Sequence, residues 1–243
     1  MTLTFLGVRG VFPTTQQMVS LHIKSNQGNL LLDAGSTNIC NFKDAIETSN
    51  VLITHHHNDH IAMLPNFLIA RFYEAKHNVK AQEKCLIVSP EPLTGFLHSM
   101  ELEESEDFIH TTEVPTTLSG ITLEYIVTKH PKKNFCYKLQ WNDCTLVYTG
   151  DTCFFPELVD FCSNVDLLIC EASYKDDSSD RADHWGHMIP KTVAKLINDS
   201  KPTSTILTHF VEIEGEDFSQ AVVRHLGKDV DVRPAYEGLT IKL

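Results

Sequence analysis

Val51-Leu52-Ile53-Thr54-His55-His56-His57-Asn58-Asp59-His60 is the stretch on which the reading of this chain turns. Its first four residues form a short apolar, β-branched run of the kind that makes a buried strand. The next six carry the spacing His55-x-His57-x-Asp59-His60, which packs four potential metal ligands onto the loop leaving that strand. Neutral imidazole suits zinc, iron or manganese, and a carboxylate beside it completes a second coordination sphere, so the segment has donors for two adjacent cations. His56 and Asn58 fall outside the pattern. The alternative is a histidine-rich surface loop or a tag remnant, but a tag would sit at a terminus and would not fix one Asp among the histidines. Ala62 to Tyr73 (AMLPNFLIARFY) reads as a helix with Pro65 tolerated in its first turn, which puts Asp59 and His60 near a helix N-terminus.

Three later segments repeat the arrangement of an apolar strand that ends in a donor. Residues 121 to 130 (ITLEYIVTKH) alternate into His130, Thr145 to Asp151 (TLVYTGD) runs into Asp151, and Ser204 to His209 (STILTH) ends in His209. A lone histidine is more often a satisfied polar residue than a ligand. Together with the first cluster, however, these residues supply seven donors, each at the carboxyl end of a strand.

The chain has 243 residues with 42% hydrophobic content, enough to bury one substantial core, and it reads as a single domain over 1–243. The longest polar stretch, Lys175 to Asp183 (KDDSSDRAD), reads as a mobile surface loop rather than a linker. The opening MTLTFLGVRG has a short apolar run broken by Arg9, which is neither a secretion signal nor a membrane anchor, so a cytoplasmic location is expected. Seven scattered cysteines without a CxxC pair argue against a disulfide framework and a cysteine zinc site; Cys153, two residues after Asp151, is the only one near the candidate ligands. Twenty Lys plus Arg against 32 Asp plus Glu give a net charge of −12, which disfavours a broad electrostatic grip on nucleic acid. Bound divalent cations would invert the field locally and still attract an anion.

In order and spacing, HxHxDH, a later His, a Gly-Asp-Thr and a final His resemble the metallo-β-lactamase superfamily. The likeness covers nearly the whole chain, from Leu6-Gly7-Val8-Arg9-Gly10-Val11-Phe12-Pro13 through Leu31-Leu32-Asp33-Ala34-Gly35-Ser36 to His209. It implies an α/β fold, the four-layer αβ/βα sandwich, with two metals on one edge between the sheets. It further implies that His55, His57 and His130 hold the first metal, that Asp59, His60 and His209 hold the second, and that Asp151 bridges them. Asp33 is expected to orient a ligand loop by hydrogen bonding; its other reading is a turn aspartate before Gly35. The ions are expected to be zinc, with manganese and ferrous iron compatible with the same donors.

Glu171-Ala172-Ser173-Tyr174 after the apolar strand Val165 to Cys170, followed by Gly186-His187-Met188 before a helix from Ile189 to Asn198, resembles the ribonuclease Z-like branch. The resemblance assigns His187 an assisting role in the chemistry and Glu171 a supporting one; the plainer reading of His187 is a capping or exposed histidine. His184 is a weaker candidate for the same work. Ile189 and Pro190 depart from the branch pattern, and Ala62-Met63 replace its glycines. The transfer-RNA-processing members carry a long arm between the third His and the Gly-Asp motif, whereas twenty residues separate His130 from Asp151 here, patterned as a hairpin, Asn134 to Leu139 and Thr145 to Tyr148, around Asn142-Asp143.

Two cations roughly 3.5 to 4 Å apart can share a water and present hydroxide as the nucleophile, which Asp59 or Asp151 would orient. The expected function is therefore a metal-dependent phosphodiesterase acting on a small or single-stranded phosphodiester, with His187 donating a proton to the leaving oxygen or binding the phosphate. The alternatives are thioester or lactone hydrolysis, as in glyoxalase II-like enzymes, and a metal-dependent binding protein. A homodimer is carried only by the resemblance. Phe67, Phe72 and Tyr73 are expected to pack onto a sheet, the alternative being that Phe72 or Tyr73 lines the cleft, and Glu101 to Asp107 (ELEESED) to be a solvated acidic run.

Overall fold

A computed structural model describes residues 1–77, 83–104, 107–142, 144–227 and 230–243. Its strands, in chain order, are β1 (Thr2–Gly7), β2 (Ser20–Ser25), β3 (Gly28–Leu32), β4 (Asn50–Leu52), β5 (Cys85–Val88), β6 (Phe108–Thr111), β7 (Thr117–Leu118), β8 (Ile121–Val127), β9 (Phe135–Trp141), β10 (Cys144–Tyr148), β11 (Leu167–Glu171), β12 (Ser204–Thr208), β13 (Val232–Pro234) and β14 (Thr240–Lys242). Among the described residues they form two seven-stranded sheets, β14-β1-β2-β3-β4-β5-β6 and β13-β12-β11-β10-β9-β8-β7. Each sheet is antiparallel on one side, β14 to β3 and β7 to β10, and parallel on the other, β3 to β6 and β10 to β13. Consequently β3 and β4 run the same way in one sheet, and β8, β10, β11 and β12 run the same way in the other.

Side-chain alternation sorts the apolar residues into layers. Leu30, Leu32, Leu52 and Val88 join the core shared with the second sheet, whereas Leu31, Val51 and Ile87 face a layer containing Phe67, Leu68 and Leu97. Those three belong to helices Leu64–His77 and Thr94–His98. A strand buried on both faces reads as an unbroken apolar run, which explains Leu30-Leu31-Leu32 and Val51-Leu52-Ile53. Outside the second sheet, helices Pro156–Phe161, Pro190–Ser200 and Gly215–Leu226 bury Leu158, Val193, Ile197, Phe218 and Val222. Helix, sheet, sheet and helix layers make the expected metallo-β-lactamase sandwich. No helix among the described residues is long and apolar enough to cross a membrane.

Three local expectations change. The helix expected from Ala62 begins earlier, as a single turn Asn58–Ile61, breaks at Ala62-Met63 and resumes as Leu64–His77 with Pro65 in its first turn. The break follows from Met63, whose N–H donates to Ala34 O at 2.8 Å rather than continuing the helical ladder. The polar stretch from Lys175, expected to be a mobile loop, is a 3-10 turn Asp176–Ser178 followed by helix Ser179–Trp185. Asp180 in the first turn and left-handed Gly186 (φ 75°) after the last turn are start and stop signals that outweigh the segment's polarity. Phe67 is fully buried as expected, but Phe72 and Tyr73 stand out to solvent, because the helix turns Leu64, Phe67, Leu68 and Arg71 inward. The β9–β10 hairpin is present, with Asn142 left-handed (φ 46°); Asp143 of the expected turn, and Ser105 and Glu106 of the acidic run, lie outside the described residues.

His22 on β2 is buried edge-on to Phe42 (5.4 Å between rings), and its Nε2 has no hydrogen-bond partner. Burial, only partly offset by the Asp44 carboxylate, lowers its pKa from 6.5 to about 4. Between these values the unfolded chain holds a proton that the folded chain does not, so stability falls as pH drops through the window. The effect is on the order of 3 kcal/mol. His22→Leu should reduce, by the share of one proton, the dependence of unfolding free energy on pH between 6.5 and 4, measured by urea denaturation of chelator-treated protein.

Candidate metal centre

The loop that leaves β4 is clamped at its first residue. The Thr54 N–H donates to Asp33 Oδ1 (2.7 Å), and Thr54 O accepts the Phe135 N–H from β9 (2.9 Å). The clamp ties the carboxyl end of β4 to the opposite sheet and aims His55, His57, Asp59 and His60 at the gap between them. His130 arrives from beyond β8, Asp151 from beyond β10 and His209 from beyond β12. All seven residues singled out in the sequence therefore come together. One cluster is His55, His57, His130 and Asp151; a second is Asp59, His60 and His209; a third, Asp151, His187 and His209, overlaps both, with candidate ligand atoms in each lying within 4.8 Å of one another. Asp151 stands between the two: its Oδ2 lies 3.6 Å from His55 Nε2 and 3.2 Å from His209 Nε2, and its Oδ1 lies 3.4 Å from His60 Nε2.

The donor set fits a pair of divalent cations. His55 Nε2, His60 Nε2 and Asp151 Oδ1 are buried without a hydrogen-bond partner, a costly state that an ion between them would relieve. Burial lowers the pKa of His55 well below the usual value, that of His57 to about 4, and that of His130 as well. These three rings are therefore neutral at physiological pH, the form that offers a lone pair. Burial opposes ionisation of Asp151, but His209, His60 and His55 override it and hold the carboxyl well below its ordinary range. At His60 burial disfavours the proton, while Asp151, Asp33 and Asp59 raise its pKa well above the usual value.

Each orienting contact has a named partner. Asp33, fully buried with left-handed backbone (φ 58°), accepts from His60 Nδ1 (2.7 Å), the Tyr148 hydroxyl (2.7 Å) and the Thr54 hydroxyl (2.9 Å). His130 Nδ1 donates to Gly186 O (3.1 Å). Asp59 Oδ2 accepts the Val11 N–H at 2.6 Å and lies 3.0 Å from His209 Nε2. Val11 is a β-branched residue at φ 64°, an uncommon strain that brings its N–H onto this carboxylate. Gly10 is required for space, since a Cβ there would sit 2.4 Å from His209 Cε1.

Glu171 receives the Thr152 N–H (2.8 Å) and His187 Nδ1 (3.0 Å) on Oε1, and the Ser173 hydroxyl (2.6 Å) on Oε2. His187 lies in the turn before helix Pro190–Ser200 rather than on the helix, and its Nδ1 is 4.0 Å from Asp151 Oδ2. Burial opposes its protonation, but the Glu171 carboxylate raises its pKa to about 9, so the ring carries a proton at neutral pH. His184 packs edge-on against Trp185 instead (4.9 Å). Burial raises the pKa of the Cys153 thiol, which disfavours a thiolate nucleophile there. Val11, Tyr174 and Trp185 join His57, Asn58, Asp59, Asp151, His187 and His209 around a cleft of about 360 Å³.

Thr54, Tyr148, Ser173 and the Val11 N–H were not singled out by sequence reasoning. The first three are polar groups at the carboxyl ends of apolar strands, which was the available signal; the Val11 contact is made by backbone and leaves no trace in residue type. Asp33→Ala would strip the acceptor from His60, Thr54 and Tyr148 in a dry setting, and should cost about 3 to 5 kcal/mol of unfolding free energy in chemical denaturation. Tyr148→Phe, which removes one donor and leaves the carboxylate its others, should cost about 1 kcal/mol.

Residues 1–179 match the family model described as Anti-Pycsar protein Apyc1. The probable metallo-hydrolase YhfI of Bacillus subtilis (strain 168) is 25% identical over 224 residues, covering 86% of this chain and 88% of the relative. Its crystal structure, described as a metallo-beta-lactamase fold protein, matches at a TM-score of 0.84 and 21% identity, covering 99% of this chain and 98% of the other. A ribonuclease Z of Halobacterium salinarum is 23% identical over 299 aligned positions, covering 98% and 96%. The short form of human tRNase Z has a TM-score of 0.78 at 19% identity, covering 100% and 99%. The structural likenesses carry the fold, and the family match spans most of the sequence: this chain belongs to the Anti-Pycsar protein Apyc1 family.

Proposed function

We propose that this protein is a dinuclear metal-dependent hydrolase, and specifically a phosphodiesterase for a small or short single-stranded phosphodiester. In this reading His55, His57 and His130 hold one ion, Asp59, His60 and His209 the other, and Asp151 both; zinc is the expected metal. The observation that carries the phosphodiesterase reading is His187, an imidazole whose Nδ1 is held by Glu171 at 3.0 Å in the same cleft as the ligand set. It groups with Asp151 and His209 as well, but the six other histidine and aspartate donors and Asp151 complete both ion sites without it, and a phosphodiester needs a proton at its leaving oxygen.

Divalent ions in this site supply a nucleophile at neutral pH and stabilise charge on the attacked phosphoryl group. The chain's own residues do the remaining work. His187, with Nδ1 engaged by Glu171, presents Nε2 to the leaving oxygen. Asp59, steadied by the Val11 N–H, orients the attacking water. Tyr174 and Trp185 wall the cleft beside His187.

Two relatives bear ribonuclease names, which is phosphodiester chemistry. The segment between His130 and Asp151 is filled by the β9–β10 hairpin, which leaves no arm to grip transfer RNA and favours a smaller substrate. A cytoplasmic setting, where seven free thiols stay reduced, goes with this reading.

The test is turnover of bis(p-nitrophenyl) phosphate by protein of measured metal content, beside a thioester panel. Wild-type protein with two ions should hydrolyse the phosphodiester, and Asp151→Ala should lose both turnover and metal. His187→Ala should keep both ions and lose roughly 10²- to 10⁴-fold in kcat. That result would make cyclic nucleotides, dinucleotides and short RNA the next panel. Turnover of thioesters alone would replace this reading with an acyl hydrolase, and no turnover at full metal loading would replace it with a binding protein.

A further inference from the structure

Among the contacts around the two clusters, one hydroxyl touches both the candidate proton donor and a candidate metal ligand. Ser173, two residues beyond the end of β11, is fully buried. Its Oγ lies 2.6 Å from Glu171 Oε2, 2.9 Å from His209 Nδ1, 3.2 Å from His209 O and 3.3 Å from His187 Nδ1. A serine hydroxyl has one proton to give, and four neighbours compete for the group.

Chemistry resolves the competition. Glu171 takes the Thr152 N–H and His187 Nδ1 on Oε1, and the 2.6 Å contact, the shortest of the four, takes the Ser173 proton to its Oε2. The serine oxygen is then left as an acceptor. His187 Nδ1 is closer to Glu171 Oε1 (3.0 Å) and donates there. The remaining partner is His209, whose Nδ1 must carry the hydrogen that Ser173 receives. Its Nε2 is thereby turned toward Asp59 Oδ2 (3.0 Å) and Asp151 Oδ2 (3.2 Å), where the second ion of the proposed centre would sit.

His55 Nδ1 meets the Thr54 hydroxyl (3.2 Å), which lies on the Asp33 carboxylate (2.9 Å) in a parallel arrangement, but two other candidate ligands need no relay. His60 donates directly to the Asp33 carboxylate and His130 to the Gly186 carbonyl, acceptors that admit only one tautomer. A hydroxyl can face either way, and only its commitment to Glu171 makes it a fixed acceptor. Packing completes the hold: the backbone of Gly10 lies against the His209 ring, and His209 itself is held in a left-handed conformation (φ 61°).

We propose that Ser173 is a positioning residue whose hydroxyl, polarised by Glu171, fixes the tautomer and direction of His209 and so sets the affinity of the second metal site. The inference rests on the two-ion reading given above. It makes Glu171 a shared anchor: one carboxylate oxygen holds His187, the other holds His209 through Ser173.

The experiment is calorimetric titration of chelator-stripped protein with zinc, read together with bound-metal content, for wild type, Ser173→Ala and Ser173→Thr. Wild type should bind two ions. Ser173→Ala should bind the first as wild type does and the second roughly 10- to 100-fold more weakly. Ser173→Thr, which keeps the hydroxyl, should restore the second affinity. A general structural role would weaken both ions together, so selective loss is the distinguishing readout. Long-range proton–nitrogen NMR of the zinc-loaded protein should also find the His209 proton on Nδ1. Ser173→Ala binding both ions as tightly as wild type, Ser173→Thr behaving like Ser173→Ala, or a His209 proton on Nε2 would each overturn the assignment of Ser173 alone. Wild-type protein that binds fewer than two ions would overturn the metal reading and this inference with it.

Discussion

Asp151 is a carboxylate that the fold removes from water and surrounds with imidazoles. It lies 1% exposed and within 3.2 to 4.0 Å of His55, His60, His187 and His209. Burying a charge is expensive unless it is paired, and here the compensation must come from four side chains on three separate segments of the chain. The demand reaches into the backbone. His209 and Val11 adopt left-handed conformations that cost energy, and Gly150, directly before Asp151, is also left-handed (φ 55°). A Cβ on Gly150 would meet Asn134 Oδ1 at 2.6 Å, so glycine allows the chain to pass close enough to deliver the carboxylate.

A second ring of contacts aims the first. Asp33, Gly186 O and Ser173 each meet one candidate ligand histidine at Nδ1. These partners come from both sheets, and Tyr148 of the second sheet donates to Asp33 of the first. Loop positions would otherwise drift relative to one another; hydrogen bonds in a dry, well-packed setting hold them to the tolerance that a metal site needs. The apolar layers have the same consequence at longer range, because the two-sided burial of β3 and β4 leaves little freedom for the loops at their ends.

The parts of the fold legible in the sequence were those with a strong local code. The alternation in residues 121–127, the unbroken run of β4, and the donors after them marked strand ends correctly. The misread segments were decided elsewhere. The helix after His60 breaks because Met63 N–H finds Ala34 O, a residue 29 positions earlier in the chain. Phe72 and Tyr73 share the helix with Phe67, but the partner surface takes a different stripe. Lys175 to Asp183 looked like a loop because of its polarity, yet polarity describes exposure and does not forbid a helix.

The sequence alone determined the chemistry available to this protein: seven nitrogen and carboxylate donors in a fixed order, each following an apolar strand, and a histidine and a glutamate left over. Residue type and spacing encode that much, because strand length and side-chain alternation are local properties. Tertiary structure decided which donors share a site, which nitrogen of each ring faces inward, and which hydroxyl holds it there. Those outcomes depend on contacts such as Asp33 with Tyr148, Val11 with Asp59 and Ser173 with His209, separated by 115, 48 and 36 residues. No local pattern specifies them; they follow from two sheets closing on one core and bringing their strand ends together.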